Sequence, residues 1–274
     1  MKISQAFRKA FRTVSGQKTE ALKLLVTEIA LTGICLAPRL FLTEKGPLRY
    51  LAALAGVLWL LVKVPARLNA AATMQDSLGD GKLFSLRVAD PGNYGKKIGY
   101  AFGRLGLLIL WSLPMIAALL YAWEMYAGQS ANGLTVLDMI YQFGGQDMKT
   151  GILYLLLILL GLILIAALGA GFHSGDRHAF VLDEKKLLKG ERANVLLCRI
   201  CSLVFVLPVI IAAGIVISRY IPLLNDVSGV VAGDVPRPSD RETLIILGIG
   251  AALTLPLLPL RSMVTAAYVN GLRE

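Results

Sequence analysis

Ten residues before each of three prolines, Pro38, Pro114 and Pro208, stand Glu28, Arg104 and Cys198, the last with Arg199 beside it. All lie inside or at the edge of long apolar runs, where an isolated charge is costly and is expected to face a partner or water. If the three segments pack around a common axis, Glu28 meets Arg104 or Arg199 at one depth. Two kinds of chemistry are open to such a set. One is a structural ion pair that locks helices together; the other is a proton or substrate relay around Glu28. We expect the ion pair, because an arginine at that depth is also stabilised by extending its head group toward water.

The second chemical cluster is H-x4-H…C-x2-C. The only histidines, His173 and His178, fall in FHSGDRH with Asp176, and Cys198 and Cys201 follow on the next apolar run. Neutral imidazole and thiolate are zinc ligands, so these four residues are weak metal candidates. Thiolates one or two turns inside an apolar helix would be poorly solvated, and no metal or other cofactor is expected. Catalytic signatures such as H-E-x-x-H, G-x-S-x-G and the phosphate-binding G-x-x-x-x-G-K-[ST] loop are missing from the sequence. The reading is non-catalytic.

The elements that would position these residues are membrane helices. Over 274 residues, 56% are hydrophobic and 17% charged, with mean hydropathy +0.66. Apolar runs at about 22–42, 48–66, 99–122, 151–172, 195–221 and 243–268 each match the roughly 18 or more residues needed to cross a bilayer. Only helices or closed barrels satisfy the backbone there, and runs of this length read as helices. The expected fold is all-α and polytopic, with six transmembrane helices arranged as three repeated hairpins.

The repeat is written in glycine and proline. Gly16, Gly92 and Gly190 precede Pro38, Pro114 and Pro208 by 22, 22 and 18 residues. This divides one membrane domain into copies 1–74, 75–178 and 179–274, with any site expected at their interfaces. An amphipathic segment opens each copy. In MKISQAFRKAFRTV, Ile3, Phe7, Ala10, Phe11 and Val14 share a helical face, which predicts a helix lying apolar side down on the inner leaflet. KLFSLRVADPG and FVLDEKKLLKG hold the equivalent places. GLTVLDMIYQFGG, at 133–145, predicts a short helix on the opposite side, and NDVSGVVAGDVPRPSDRE an irregular loop.

Net charge is +10, and its placement shows what it is for. One side of the expected topology holds 21 of the 28 Lys and Arg, including both termini. By the positive-inside rule that side is cytoplasmic. The excess is a topology signal and an attraction to anionic lipid headgroups; no basic–aromatic motif points to nucleic acid. No signal peptide is recognised, and the three cysteines lie in the spans rather than in a disulfide framework. The expected place is a bacterial inner membrane, multi-pass.

The inner ends of helices 2, 4 and 6 read PARLNAAATMQ, GDRHAFVLDEKKLLKG and PLRSMVTAAYVNGLRE. The last resembles the closing helix of the six-helix membrane domain that precedes the catalytic domain in some bacterial glycerophosphodiester phosphodiesterases, and of related bacterial membrane proteins. Pro259, Tyr268 and Arg273 match its proline start, its tyrosine and its polar tail. The resemblance implies the six-helix membrane domain alone, without the metal-dependent phosphodiesterase domain. In layout the chain also resembles small ABC-exporter permeases, whose cytoplasmic loop couples to an ATPase.

Together these readings predict a non-catalytic membrane subunit, accessory or scaffold protein of a membrane complex. Its expected partners are lipids and a protein on the cytoplasmic face, an ATPase among the candidates. The alternative is a transport permease, ABC-exporter-like or proton-coupled, with a pathway between the repeats.

Overall fold

A computed structural model of the chain describes residues 1–40, 49–79, 81–130, 136–145, 148–225 and 239–273. Their regular structure is all helical, with no strand among them. Helix α1 spans Ile3–Gly16, α2 Lys18–Leu40, α3 Arg49–Leu58, α4 Val64–Leu78 and α5 Tyr94–Ser130. Then come α6 (Val136–Phe143), α7 (Met148–Phe172), α8 (Asp176–Val181), α9 (Arg192–Cys201) and α10 (Leu207–Asn225). The chain closes with α11 (Asp240–Thr254) and α12 (Leu258–Asn270).

Among the described residues, five stretches are long and apolar enough to cross a membrane: Leu54–Leu78, Tyr94–Glu124, Thr150–Val181, Arg192–Tyr220 and Asp240–Asn270. In the most apolar window of Tyr94–Glu124 no residue is buried inside the protein, and in that of Thr150–Val181 only 6% are. Helices so apolar and so uncovered have lipid as their natural solvent. This is a membrane protein. The expected first span, 22–42, corresponds to α2, which is not among the five. The side chains of its last five residues, 36–40, lie outside the described residues; of the rest, Ala21, Leu24 and Leu25 turn into the protein core.

Two compact units make up the chain. The first comprises Met1–Gly106, Gly171–Leu207 and Thr254–Glu274, and holds the principal core. At its centre are α4 and α12, whose small residues Ala66, Ala70, Ala266 and Ala267 are buried and let backbones approach closely. Gln75 fixes the pairing by donating to the Ala266 carbonyl at 3.0 Å and accepting from Asn270 at 3.0 Å. The second unit comprises Leu107–Ala170 and Pro208–Leu253. There Gly169 packs against Trp111, Gly250 against Ala212, and Arg219 bonds Glu242 at 2.7 Å.

The amphipathic segments depart from expectation. Helix α1 does not reserve its apolar face for lipid. Ala6 and Ala10 are fully buried, Ile3, Phe7 and Val14 pack on the core, and Phe7 stacks on Phe205 at 5.7 Å. Phe11 alone of that stripe is exposed. The second and third segments are short 3-10 turns, Ser85–Ala89 and Lys185–Leu188. Pro91 and the left-handed Gly190 (φ 87°) cut them short, while Val88 and Leu188 anchor them in the core. Asn69 ties the first of these to α4 by donating to the carbonyls of Val88 and Asp90. The short helix expected within 133–145 is α6. Most of the glycine- and proline-rich loop, 226–238, and the side chains of Pro38 and Arg39 lie outside the described residues.

Prolines shape the helices by a shared device. Pro208 and Pro259 cannot donate to the carbonyls of Val204 and Leu255. In each case the residue just before the proline donates instead, Leu207 to Val204 and Leu258 to Leu255, winding a 3-10 turn. Pro65 leaves the Leu61 carbonyl free of its usual donor, and the Tyr94 hydroxyl supplies one at 2.8 Å. Just before Pro65 the helix widens into a π turn, Trp59–Lys63. Pro114 lies within the continuous helix α5, and Pro38 within α2.

Candidate functional site

Several charges of the first unit gather around Glu28. Glu28 projects from α2 beside the π turn. Lys63, the last residue of that turn, donates to the Glu28 backbone carbonyl at 2.8 Å, and its ammonium stands 3.8 Å from the Glu28 carboxylate. Arg67, one turn on, has its Nε 4.0 Å from the same carboxylate oxygen. Lys63 is only 4% exposed, whereas the Arg67 side chain is half exposed. The set therefore runs from an accessible rim to a buried floor.

Three more guanidinium groups close on this point from other helices: Arg177 of α8, Arg199 of α9 and Arg261 of α12. With Glu28, Lys63 and Arg67 they line one cavity of about 250 Å³. Its remaining wall is largely apolar, with Leu24, Leu25 and Ile29 on one side and Leu258 and Pro259 on the other. Five cations thus surround a single carboxylate. The Arg199 Nη1 and Arg261 Nε atoms are buried and have no hydrogen-bond partner among the described residues. A buried N–H without an acceptor costs about 1–3 kcal/mol, more for a charged group. This set of donors wants an anion.

Placement of the cations follows from local structure. The π turn and Pro65 set Lys63 and Arg67 on either side of a helix distortion, and π turns recur at functional sites. Arg261 follows the Leu255–Leu257 turn and Pro259. Arg199 comes three residues before the Ser202–Val206 turn. Arg177 is steadied by its neighbour: its Nε donates to Nε2 of the fully buried His178 at 3.3 Å, which leaves the terminal nitrogens of Arg177 for the cavity.

A second charged cluster is centred on Asp176. Its carboxylate lies 3.6 Å from Arg104, 3.5 Å from Arg192 and 2.8 Å from His173 Nδ1. Arg192 also covers the Phe172 ring at 5.8 Å. Further along, Glu191 accepts from Asn194 at 2.9 Å and from the Tyr268 hydroxyl at 3.0 Å. These bonds to its ionised form hold the Glu191 carboxyl below the ordinary carboxylate value.

One expectation is corrected by this geometry, and the weak metal candidates are each placed. Glu28 was expected against Arg104 or Arg199. The close partners found for its carboxylate are Lys63 and Arg67, while Arg104 is drawn to Asp176; Arg199 shares the Glu28 cavity. His173, His178, Cys198 and Cys201 do not assemble, and no group of three or more metal-ligating side chains forms among the described residues. Each has other engagements or lies apart. His173 faces Asp176, His178 accepts from Arg177, Cys198 turns its thiol toward the Val264 carbonyl at 3.9 Å, and Cys201 is exposed.

Lys63, Arg67, Arg177 and Arg261 were read from sequence only as topology charges. A sharper signal was available: KVPAR and LPLR both place a cation two residues after a proline, inside an apolar run. Of the residues that carried the family resemblance, Pro259 lines the cavity, Tyr268 is buried on Glu191, and Arg273 pairs with Glu184 at 3.0 Å. Comparison with protein-family models, with curated proteins and with solved structures yields no match for this chain.

Proposed function

We propose that this chain is a non-catalytic membrane protein that recognises an anionic group, the headgroup of an acidic lipid above all, at the cytoplasmic edge of a bacterial inner membrane. The observation that carries the reading is the cavity in which Lys63, Arg67, Arg177, Arg199 and Arg261 surround Glu28, with buried guanidinium N–H groups lacking acceptors. Guanidinium groups bind phosphate through paired, charge-assisted hydrogen bonds, and a site of low dielectric strengthens them. About 250 Å³ is at the lower edge of small-molecule pockets, enough for a headgroup rather than a whole lipid.

The full arrangement we propose is six spans in three hairpins, with α2 as the first span and both termini cytoplasmic. The distribution of Lys and Arg supports it. Labelling of single cysteines from the outer side tests it: reaction at position 185 but not at position 230 overturns the topology. Exposed Lys186 and Lys189 on the same face suit an acidic membrane surface or an acidic partner protein, which fits an accessory or scaffold subunit. Purification of the native complex separates that role from transport, since a co-purifying ATPase favours a permease.

Anion recognition is tested with the purified protein in nanodiscs of zwitterionic phosphatidylcholine, titrated with phosphatidylglycerol and followed by thermal stability and native mass spectrometry. Retention of the acidic lipid, reduced about tenfold or more by Arg199→Gln or Arg67→Gln, is the expected result. Equal retention by wild type and both variants would overturn the reading.

A further inference from the structure

We infer that the group this cavity is built for is a phosphomonoester, with a terminal phosphate bearing three free oxygens, rather than the phosphodiester of most membrane lipids. The inference rests on anion recognition at this site and narrows it to a chemical class.

The first argument is charge. Of the five cations, Glu28 directly offsets Lys63 and Arg67 only in part, since one carboxylate faces two cations at 3.8 and 4.0 Å. Across the cavity five positive charges face one negative. A phosphodiester supplies one negative charge, which leaves a strong surplus in place. A phosphomonoester supplies about 1.5 to 2 at neutral pH and leaves a smaller one.

The second argument is the direction of the donors. Arg177, Arg199 and Arg261 come from three different helices, α8, α9 and α12, and converge on one cavity. Two of them carry a buried N–H without an acceptor. Three guanidinium groups arriving from separate helices suit the three outward oxygens of a terminal phosphate. A diester has two such oxygens and carries a second ester substituent, which would have to share the same space.

The third argument is the wall. Ile29 lines the cavity and is 45% exposed, and Leu25 and Leu258 line it too. An apolar flank beside Arg67 gives a lipid-borne phosphate a path along α2, with its glycerol and chains remaining outside the cavity. A soluble phosphomonoester has the same head and could arrive through the Arg67 rim. The chemistry recognised is the same in both cases, so experiment must separate the sources.

The test uses the full chain in phosphatidylcholine nanodiscs. Phosphatidic acid, a monoester, is titrated against phosphatidylglycerol, a diester, and inorganic phosphate is added as the soluble probe. The expected result is retention of phosphatidic acid at least about tenfold tighter than phosphatidylglycerol, with the preference lost in Arg199→Gln and Arg261→Gln. Because substitution at those partly buried positions could impair folding, Arg67→Gln, half exposed, is measured alongside and is expected to lower phosphatidic acid affinity several-fold. Competition by inorganic phosphate at micromolar concentration would support the monoester class and assign a soluble source. Equal affinity for the two acidic lipids would overturn the monoester inference and leave anion recognition standing. Binding of neither beyond phosphatidylcholine, with no effect of inorganic phosphate, would overturn both.

Discussion

Lys63 holds Glu28 twice, donating to its backbone carbonyl at 2.8 Å while standing 3.8 Å from its carboxylate. The lysine is nearly inaccessible and the glutamate is a quarter exposed. A charge so buried is kept by its partners, and here the partner is both a peptide oxygen and a side chain. Removing Glu28 leaves unmatched positive charge in a confined space, whereas removing Lys63 takes a donor from the Glu28 carbonyl and one cation from its carboxylate.

Glu28→Gln is therefore expected to destabilise the protein by about 1–4 kcal/mol, the lower end reflecting water access on the Arg67 side. Thermal unfolding in detergent measures this. Glu28→Leu combined with Lys63→Leu should recover more of the loss than Glu28→Leu combined with Arg104→Leu. If the second pair recovered as much, the partnership with Lys63 would not be the one that matters. Full stability in Glu28→Gln with loss of a proton-coupled flux would instead assign Glu28 to a relay.

Asp176 is approached by Arg104, Arg192 and His173. Replacing it with Asn removes the only negative charge of that cluster named in these ion pairs. A loss of about 2–4 kcal/mol is expected, seen as a lower unfolding temperature. Asn at 176 with unchanged unfolding would mean that the cluster is solvated rather than structural.

In the second unit, glycines two residues apart make a matched pair. A methyl group at Gly250 would stand 2.5 Å from the Ala212 methyl and 3.1 Å from the Pro208 carbonyl, whereas Gly248 has nothing within 4 Å. Gly250→Ala should destabilise by about 1–3 kcal/mol through overpacking. Gly248→Ala should be neutral or stabilise by up to about 1 kcal/mol through helix propensity. Unfolding curves of the two variants that coincide would contradict the close packing at Gly250.

Glu191 gives a pH dependence. Its carboxyl is held below its ordinary value of 4.5 because the carboxylate accepts from Asn194 and Tyr268. The folded state thus binds this proton less readily than the unfolded one. The stabilisation is fully present above the ordinary value and is lost as pH falls through the lowered one. Comparing wild type with Glu191→Gln between pH 7 and pH 3 should show a stability difference at the neutral end that shrinks in acid. A difference that grew in acid would reverse the sign.

The helical membrane class was legible in the apolar runs, because no soluble core could bury α7 on every face. A carboxylate inside an apolar run was also a fair guide to a site, and Glu28 does line the cavity. Its partners were harder to read. Alignment of residues by their distance from a proline compares positions along a helix axis but says nothing about the direction a side chain takes around it. Lys63 and Arg67 lie on the next helices of the chain, and the π turn before Pro65 decides their facing; hydropathy does not register such a turn. Counting every cation toward membrane orientation also concealed that five of them converge. For α1, an apolar stripe looks the same whether it meets lipid or protein. Ala6 and Ala10 were the clue, since small residues allow another helix to come close.

The π turn at Trp59–Lys63 has a consequence for how this site could be gained or lost. Such a turn accommodates an extra residue in an otherwise regular helix without breaking it. Were the same residues wound as an ordinary helix, the facing of Lys63 relative to α3 would change by about 100°. The lysine would remain in the sequence, with its charge and its neighbours unaltered, yet point elsewhere. The cavity's floor is thus encoded in the winding of the helix as much as in residue type.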